Sequence, residues 1–459
     1  MNAFSHWTLP AKIAAVILLA GWVVCIAVNW PGHLSYDSIL QLLQGRTGRY
    51  NTWHPPVMAW LLGLGDRIVP GGGLFVALDA TLAFGALLAV LALAPGRAGW
   101  PAVAVALAAA LSPQLAIYPG IVWKDVLFAA AGVAGFACLA HAVARWEQPR
   151  ARAILLSAAI LLVCLAALAR QNGLVVLPFA CGAAGWVAWR RSASRLRGGA
   201  VGIGLFLASF LIVFVAKSAL EARSDGESGP AEQFRVLQIY DLAGAIAQDR
   251  DFPLAALSAD NHELADALRQ ESPRFYTPVR NDPLLSAPAM QAPLGNVDDE
   301  ALGADWWTLV LHHTELYLRV RADDFYWLLF TPDIVACRPI FTGIEGPAAE
   351  MKALGLAPRR DGRDFALERY GKAFLNTPVL SHIPFALIAM GSIILLLRRG
   401  RPADIAMAAM LGAALAFTAS FFAIAISCDY RYVYALDLSA IAALLYLALD
   451  PKSAREGTP

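Results

Sequence analysis

Long apolar runs alternate with short polar connections along most of the chain, and this pattern predicts a membrane protein. A helix needs about 20 residues to cross roughly 30 Å of hydrocarbon. Ten runs approach that length, and each is predicted to be a membrane span. The ten predicted spans are Ile13–Trp30, Leu74–Leu93, Pro101–Ile117, Val126–Val143, Ala153–Leu168, Leu174–Trp189, Ala200–Val215, Val379–Leu397, Ile405–Ile426 and Val433–Leu449. The expected fold is an all-α polytopic membrane protein.

One long interval breaks this pattern. Residues 217–377 are polar and rich in Pro and Asp, and a connection of this length must fold or carry a function. Within it, the apolar positions of Ala304–Phe330 recur at helical spacing, which predicts one or two amphipathic helices. These helices either pack on a core of their own segment or lie on the membrane surface. The chain is thus predicted to consist of a membrane module over residues 1–216, a large mixed extracytoplasmic segment, and a membrane module over residues 378–459.

Composition supports the membrane assignment. Of 459 residues, 58% are apolar and only 15% are charged, which is more apolar than an ordinary soluble domain. The formal net charge is +1, and no basic face of the kind that binds nucleic acid is visible. No nucleic-acid partner is therefore expected.

Lysine and arginine occur in every second connection, and this bias predicts the orientation. Short cytoplasmic connections carry an excess of these residues. The basic connections hold Lys12, Arg97, Arg145–Arg152, Arg190–Arg197, Arg398–Arg401 and Lys452–Arg455. Both termini are therefore predicted to be cytoplasmic and residues 217–377 external. The high alanine content points to a bacterium with a GC-rich genome, and the expected location is its inner membrane.

Six basic residues on the predicted outer side do not follow that rule. They are Arg46, Arg49, Arg67, Lys124, Arg170 and Arg431. Charged residues next to hydrocarbon are costly, and they usually face the interior of the bundle and mark a site. Because most of the six have polar neighbours in sequence, they predict a shared polar cavity at the outer membrane surface.

The residue types in these clusters indicate a ligand. Arginine and lysine donate charge-assisted hydrogen bonds to phosphate oxygens. Asp37 and Asp125 can each act as a base, a metal ligand or a clamp for a hydroxyl group. Nearby aromatic residues offer flat faces for a sugar ring, although tyrosine and tryptophan also collect in interfacial belts without any ligand. An anionic, polyhydroxylated, membrane-borne molecule fits this set, namely a sugar on a polyprenyl phosphate.

Five short motifs resemble one family. They are Asp37 in the first outer loop, His54-Pro55-Pro56 after it, Asp125 at the outer start of span 4, Arg170 followed by Gly173 after span 5, and the late pair Arg431-Tyr432. Their order is similar to that of the GT-C glycosyltransferases, a membrane superfamily that includes the aminoarabinose transferases and the protein O-mannosyltransferases. The resemblance also implies juxtamembrane helices in the first outer loop, one of them over Val57–Ile68.

The resemblance implies transfer of a sugar, with inversion, from a polyprenyl-phosphate donor to a lipid, glycan or protein acceptor outside the cytoplasm. In this scheme Asp37 is the general base, and Asp125 orients the acceptor or the base. Two further groups of residues follow from the scheme. His54, Lys124, Arg170 and Arg431 hold the donor phosphate, and Tyr36, Tyr50, Trp53, Asn172 and Tyr432 line the substrate site.

The chain departs from the family pattern in its acids. Ser38, rather than a second acid, follows Asp37, and Lys124 stands beside Asp125. A fixed cation in place of a metal is therefore expected, and no cofactor is predicted; a divalent metal at Asp37 and Asp125 is the alternative. Two other functions are also open: a transporter or flippase of a lipid-linked or anionic solute, and an oligosaccharide polymerase or ligase.

Three smaller questions concern single residues. Asp37 has a structural alternative as the N-cap of a short helix, Ser38–Leu43, because aspartate is a favoured cap. Asp79 and Asp437 lie inside spans and either have a buried partner or line the cavity. Among the six cysteines, Cys337 and Cys428 fall on the outer side, where disulfides persist, and are predicted to pair; the remaining four are predicted to be free thiols.

Overall fold

The apolar runs form helices, because a helix satisfies its backbone hydrogen bonds internally and so can lie in hydrocarbon. The computed structural model describes residues 6–224 and 229–450, so the predicted basic pair Lys452 and Arg455 lies outside the described residues. The first ten helices are α1 (Leu9–Asn29), α2 (Tyr36–Thr47), α3 (Pro56–Asp66), α4 (Gly73–Leu91), α5 (Trp100–Leu111), α6 (Pro113–Ala116), α7 (Lys124–Ala144), α8 (Pro149–Ala169), α9 (Val176–Ser192) and α10 (Arg195–Glu221).

Twelve further helices follow. They are α11 (Gly229–Gln248), α12 (Ala255–Asp260), α13 (His262–Phe275), α14 (Asp282–Leu285), α15 (Pro288–Leu294), α16 (Asp299–His312), α17 (Thr314–Phe330), α18 (Ala348–Leu354), α19 (Gly362–Lys372), α20 (His382–Arg399), α21 (Pro402–Ile424) and α22 (Tyr434–Ala448). Short 3₁₀ helices cover Tyr118–Gly120, Gln171–Val175, Pro378–Leu380 and Tyr430–Val433. No β-strand forms within residues 6–224 and 229–450. The all-α prediction is confirmed.

Nine helical segments in the described ranges are long and apolar enough to cross a membrane, or ten if one bent pair counts as a span. The bent pair is the predicted span Pro101–Ile117. It is broken at Ser112 into α5 and the segment Pro113–Gly120, which meet at 62°. Pro113 cannot donate a backbone hydrogen bond, and it disfavours helical geometry at the residue before it. The predicted third span therefore consists of two helices with a break at Ser112.

The chain divides into two compact units. The bundle unit contains Met1–Asp225, Ile340–Phe417 and Val433–Pro459, and the inserted unit contains Gly226–Pro339 and Thr418–Tyr432. The predicted limits of the three sequence modules concern the sides of the membrane, and they stay predictions.

Helix α7 lies at the centre of the bundle unit. Of its most apolar window, 94% is buried inside the protein, against 11% for α10 at the periphery. Helices α4, α8 and α22 pack against α7. The first residues of α7, Lys124 and Asp125, are consequently held by packing on all sides.

Two short helices occupy the first outer loop, as the sequence predicts. Helix α3 begins at Pro56, and proline suits the first turn of a helix because that N–H would have no partner there. Gly45 on α2 and Gly63 on α3 face each other so closely that a Cβ atom on either would collide with the backbone of the other helix. Their position at the membrane interface stays a prediction.

The inserted unit is helical where it is described, and it has a core of its own. Leu302, Leu309 and Leu316, from α16 and α17, are buried in that core. The predicted amphipathic segment is thus two helices, and they pack on their own segment. Trp307 and Tyr326 remain about half exposed, at 52% and 49%.

Buried charges and a disulfide fix this unit further. Arg321 is fully buried and forms ion pairs with Asp241 and with Asp324, the latter at 2.6 Å. Cys337 and Cys428 form a disulfide with a Cα–Cα distance of 5.1 Å, which confirms the predicted pairing. The other cysteines are free thiols, as predicted: Cys25, Cys138, Cys164 and Cys181.

Candidate active site

The first outer loop is bound to the segment that precedes α7. The backbone N–H of His33 donates to the carbonyl of Gly120 at 2.9 Å, and Val122 N–H donates to His33 O at 3.0 Å. Trp123 and Lys124 follow directly on the chain. The loop is therefore fixed beside the start of the central helix.

The first turn of α2 is anchored to the same segment. Ser35 is the N-cap of α2, and Trp123 Nε1 donates to its hydroxyl at 2.9 Å. Ser38 Oγ donates to the carbonyl of Val122 at 2.6 Å. Asp37 is the second residue inside the helix, so the alternative in which Asp37 caps the helix is wrong. Its side chain is 27% exposed.

His54 lies between Asp37 and Lys124. Its Nδ1 atom is 2.8 Å from Lys124 Nζ, and its Nε2 atom is 3.6 Å from Asp37 Oδ1. A lysine ammonium can only donate, so Nδ1 of His54 must accept. The ring proton of neutral His54 is therefore on Nε2, where it faces the Asp37 carboxylate. The 3.6 Å separation is longer than a direct hydrogen bond.

Asp125 and Arg170 form a second, more deeply buried pair. Arg170 Nη1 donates to Asp125 Oδ1 at 2.6 Å, and their side chains are 7% and 2% exposed. Arg170 ends α8 and precedes the 3₁₀ helix Gln171–Val175. Gln171 Nε2 donates to the carbonyl of Trp53 at 3.0 Å, which connects this turn to the segment that carries His54.

Six of the predicted site residues therefore belong to one connected set of contacts. We call this set the outer cluster: Asp37, Trp53, His54, Lys124, Asp125 and Arg170. Asp37 is the more exposed of its two acids, and Asp125 is covered by Arg170. A reactant from solvent can reach Asp37 more easily than Asp125.

Three other predicted residues of the bundle unit have distinct positions. Tyr36 is the first residue of α2 and is 60% exposed, whereas Tyr50 is 5% exposed. The Tyr50 backbone pairs with Ser224. Asn172 lies in the 3₁₀ helix that follows Arg170. Tyr36 and Asn172 therefore lie on the same two segments that carry Asp37 and Arg170.

Arg431 and Tyr432 belong to the inserted unit and are described there alone. Arg431 Nη2 is 3.2 Å from Asp429 Oδ2, and its guanidinium lies over the ring of Tyr432 at 5.6 Å. Tyr432 stacks on Phe421 with centroids 5.4 Å apart. Arg280 also approaches Asp429, at 3.8 Å, and no sequence signal links Arg280 to this turn.

Arg46, one of the six basic residues on the predicted outer side, connects α2 to α3. Its guanidinium donates to both carboxylate oxygens of Asp66, at 2.8 and 2.7 Å, and to the carbonyl of Leu354. The hydrogen bond from Arg46 lowers the pKa of Asp66. The signal that placed Arg46 in the predicted polar cavity therefore corresponds to an ion pair between α2 and α3.

His33 is a polar residue near the site that the sequence did not single out. It is fully buried; Gly343 N–H donates to its Nδ1 at 2.9 Å, and its Nε2 lies 2.9 Å from Asn29 Oδ1. Burial lowers the pKa of His33 to about 4. A lone histidine has no sequence signal that separates a buried structural role from a catalytic one.

The two acids inside the spans differ from each other. Asp437 Oδ1 lies 2.9 Å from Nδ1 of His382, within hydrogen-bond distance. The interpretation of a buried partner is therefore confirmed for Asp437. Asp79 is fully buried, and neither carboxylate oxygen has a hydrogen-bond partner in the described parts of the chain. Among those residues, no three or more His, Cys, Asp or Glu side chains group in a way that could hold a metal ion.

No protein-family model and no curated protein matches this chain. Among solved structures, it is similar to the oligosaccharyltransferase AglB from Archaeoglobus fulgidus, in complex with an inhibitory peptide and a dolichol-phosphate. The identity is 14% and the TM-score 0.42, over 95% of this chain and 50% of that one. The chain thus spans about half the length of the archaeal protein.

A second similar structure is ArnT from Cupriavidus metallidurans, in the apo state and bound to undecaprenyl phosphate. The identity is 17% in both, with TM-scores of 0.33 and 0.35, over 96% of this chain and 77% or 78% of that one.

Proposed function

We propose that this protein is a membrane glycosyltransferase, and that the outer cluster transfers a sugar from a polyprenyl-phosphate donor to a lipid, glycan or protein acceptor. The observation that carries the proposal is the contact of Asp37 with the His54–Lys124 pair. It brings one accessible carboxylate and a fixed positive charge together at one end of a bundle of apolar helices. The carboxylate can take the proton of a hydroxyl acceptor. The positive charge can stabilise the negative charge of a leaving phosphate.

The reaction then proceeds as a single inverting displacement. The acceptor oxygen attacks the anomeric carbon from the face opposite to the phosphate, and its proton passes to the Asp37 carboxylate. The bond between the anomeric carbon and the phosphate oxygen breaks, and its electron pair leaves with the polyprenyl phosphate. Asp37 afterwards returns the proton to water. General-base assistance of this kind typically contributes 10²–10⁴-fold in rate.

The remaining outer-cluster residues stabilise charge or hold others in place. Lys124 and Arg170 supply positive charge for the leaving phosphate, and charge-assisted hydrogen bonds to phosphate are the stronger kind. His54, whose ring proton faces Asp37, orients the base. Asp125 orients Arg170 through their 2.6 Å contact. Tyr36, Tyr50, Trp53 and Asn172 are proposed to line the sugar site. The roles of Arg431 and Tyr432 stay predictions from the sequence.

We place this site on the periplasmic side of a bacterial inner membrane, with both termini in the cytoplasm. The distribution of lysine and arginine supports this orientation. The polyprenyl-phosphate sugar and the acceptor would both reach the site from the membrane or from the periplasm. The reaction as written uses no cofactor, since Lys124 and Arg170 provide the charge that a metal would otherwise supply.

The variant Asp37→Asn tests the proposal. Asparagine keeps the size and the helix position of Asp37 but cannot take a proton. We expect normal expression, unchanged binding of a polyprenyl phosphate, and a loss of sugar transfer of about 10²–10⁴-fold. Transfer is measured with radiolabelled polyprenyl-phosphate sugars and membranes as acceptors. Asp260→Asn, on an exposed part of α12, is the matched control and should transfer normally.

Two outcomes would contradict the proposal. Near-normal transfer by Asp37→Asn would remove Asp37 as the base. Uptake or flipping of a lipid-linked solute by proteoliposomes, without transfer of sugar, would show the transporter function instead.

A further inference from the structure

A crevice opens between α9, α20 and α21, and none of its lining residues belongs to the outer cluster. Its volume is about 710 Å³, and its walls are mostly apolar or small side chains. They include Phe179, Gly182, Trp186, Ile393, Leu397 and Ala408. The helical segment Gln171–Ser192 has 22 residues, about 33 Å at 1.5 Å per residue. The outer cluster lies at the first end of this segment, and the crevice reaches the other end.

The length of the crevice matches one leaflet of a bilayer. Along α9 its lining extends from Pro178 to Arg190, which is about 18 Å at the rise of an α-helix. The hydrocarbon core of a bilayer is roughly 30 Å thick, so half of it is about 15 Å. An acyl chain of a single leaflet therefore fits along this groove from end to end.

One end of the crevice carries an uncompensated positive charge. Arg190 lines it there and is exposed, and within residues 6–224 and 229–450 it has neither a hydrogen bond nor an ion pair. Its basic neighbours differ: Arg191 pairs with Glu147, and Arg399 pairs with Asp404. The guanidinium of Arg190 is therefore available to an anionic group from outside the protein.

We propose that this crevice is a binding site for one anionic phospholipid. The phosphate lies on Arg190, and an acyl chain follows the groove past Trp186 and Gly182 towards Phe179. Basic pockets between membrane helices on one side of the bilayer bind anionic headgroups in this way. The site is separate from the outer cluster, and it does not depend on the proposed transferase activity.

Native mass spectrometry of the detergent-solubilised protein, titrated with phosphatidylglycerol or phosphatidylcholine, tests the inference. We expect the first phosphatidylglycerol to bind about tenfold more tightly than phosphatidylcholine. Both lipids carry a phosphate, but the choline cation offsets its charge, whereas phosphatidylglycerol keeps a net negative charge. Arg190→Gln should remove that preference. Gly182→Leu should weaken binding of phosphatidylglycerol at least about tenfold, because a Cβ atom at Gly182 meets no other atom within 4 Å and the new side chain enters open space.

Each variant has a matched control. Arg150→Gln removes a positive charge at the same end of the bundle outside the crevice, and Gly204→Leu adds the same side chain to α10, where a Cβ atom also meets nothing within 4 Å. Both controls should bind phosphatidylglycerol like the wild type. Equal affinity for the two phospholipids, unchanged binding by the two crevice variants, or displacement of phosphatidylglycerol by equimolar undecaprenyl phosphate would each overturn the proposal.

Discussion

His54 contacts both a cation and a carboxylate, which suggests a role besides the one that its sequence motif implies. The His-Pro-Pro motif implies a residue that holds phosphate, but His54 lies between the Lys124 ammonium and the Asp37 carboxylate. Because Lys124 occupies Nδ1, the only N–H of neutral His54 is directed at Asp37. We therefore propose that His54 positions the Asp37 carboxylate.

Substitution of His54 should affect the rate more than substrate binding. We expect His54→Ala to lower kcat about 10–100-fold, because Asp37 loses the group that orients it, with little change in KM for the donor. His54→Gln should recover part of the rate, since its amide also donates. Steady-state kinetics of sugar transfer measure both constants. A raised KM with an unchanged kcat would instead indicate that His54 binds the donor phosphate.

At the level of single residues, the sequence singled out charged residues that meet in the outer cluster, but it did not predict their partners. Lys124 and Arg170 are distinctive in the sequence because they are basic residues on the predicted outer side, where such residues are rare. Their contacts with His54 and Asp125 depend on how separate helices meet, and a sequence does not contain that geometry. Arg46 showed the same signal, yet it pairs with Asp66.

Among the elements, the pair α2 and α3 depends on two glycines. The backbones of Gly45 and Gly63 are in direct contact, so a methyl group on either would have to separate the helices. We expect Gly45→Ala to lower the free energy of unfolding by about 1–3 kcal/mol and to reduce sugar transfer, because α2 carries Asp37. Gly48→Ala is not a suitable control because Gly48 has a φ of +71°.

Gly391→Ala is the better control for this prediction. A Cβ atom at Gly391 meets no atom within 4 Å, and alanine has the higher helix propensity. Thermal unfolding in detergent, followed by the loss of soluble protein, compares the two variants. An unchanged Tm for Gly45→Ala would show that α2 and α3 can move apart without loss of stability.

Helices were predicted well where hydropathy alone determines them. They were predicted less well where a turn or a packing partner determines where a helix ends. Membrane helices need only a long apolar run, so nine predicted spans correspond to helices long and apolar enough to cross a membrane in the described residues. The run Pro101–Ile117 has the same hydropathy, but the proline at position 113 bends it by 62°. The third span could have been divided at this proline, since its effect on the preceding residue is general.

For the whole molecule, His33 predicts a pH dependence of stability. Its pKa is lowered to about 4, chiefly by burial, whereas an exposed histidine has a pKa of about 6.5. The folded state thus favours neutral His33. Its contribution is complete above pH 6.5 and is lost as the pH falls towards 4, by about 3 kcal/mol in total.

The measurement is the Tm of the detergent-solubilised protein between pH 7.5 and pH 4.5. Wild type should lose stability on acidification, because protonated Nδ1 can no longer accept from Gly343 N–H. His33→Gln should be less stable at pH 7.5 but show a shallower decline. Parallel curves for the two proteins would exclude His33 as the source of the acid sensitivity.

The proposed orientation of the whole chain can be tested by thiol labelling of intact cells. Ser258→Cys should react with a membrane-impermeant maleimide, because it lies in the segment proposed to be external. Ser194→Cys, between two predicted membrane spans at their basic ends, should react only after the cells are permeabilised. The wild-type protein gives the background from its own cysteines. Labelling of position 194 but not of position 258 would reverse the orientation.

Lys124 and Asp125 are consecutive residues, yet they serve two different partners. Successive positions on an α-helix point about 100° apart, so the start of α7 directs one side chain to His54 and the next to Arg170. Loss or gain of a single residue just before α7 would turn both side chains away from their partners together. Anyone grafting this site onto another helical scaffold must therefore preserve the phase of that helix relative to α2 and α8, since matching the residue types alone would not rebuild it.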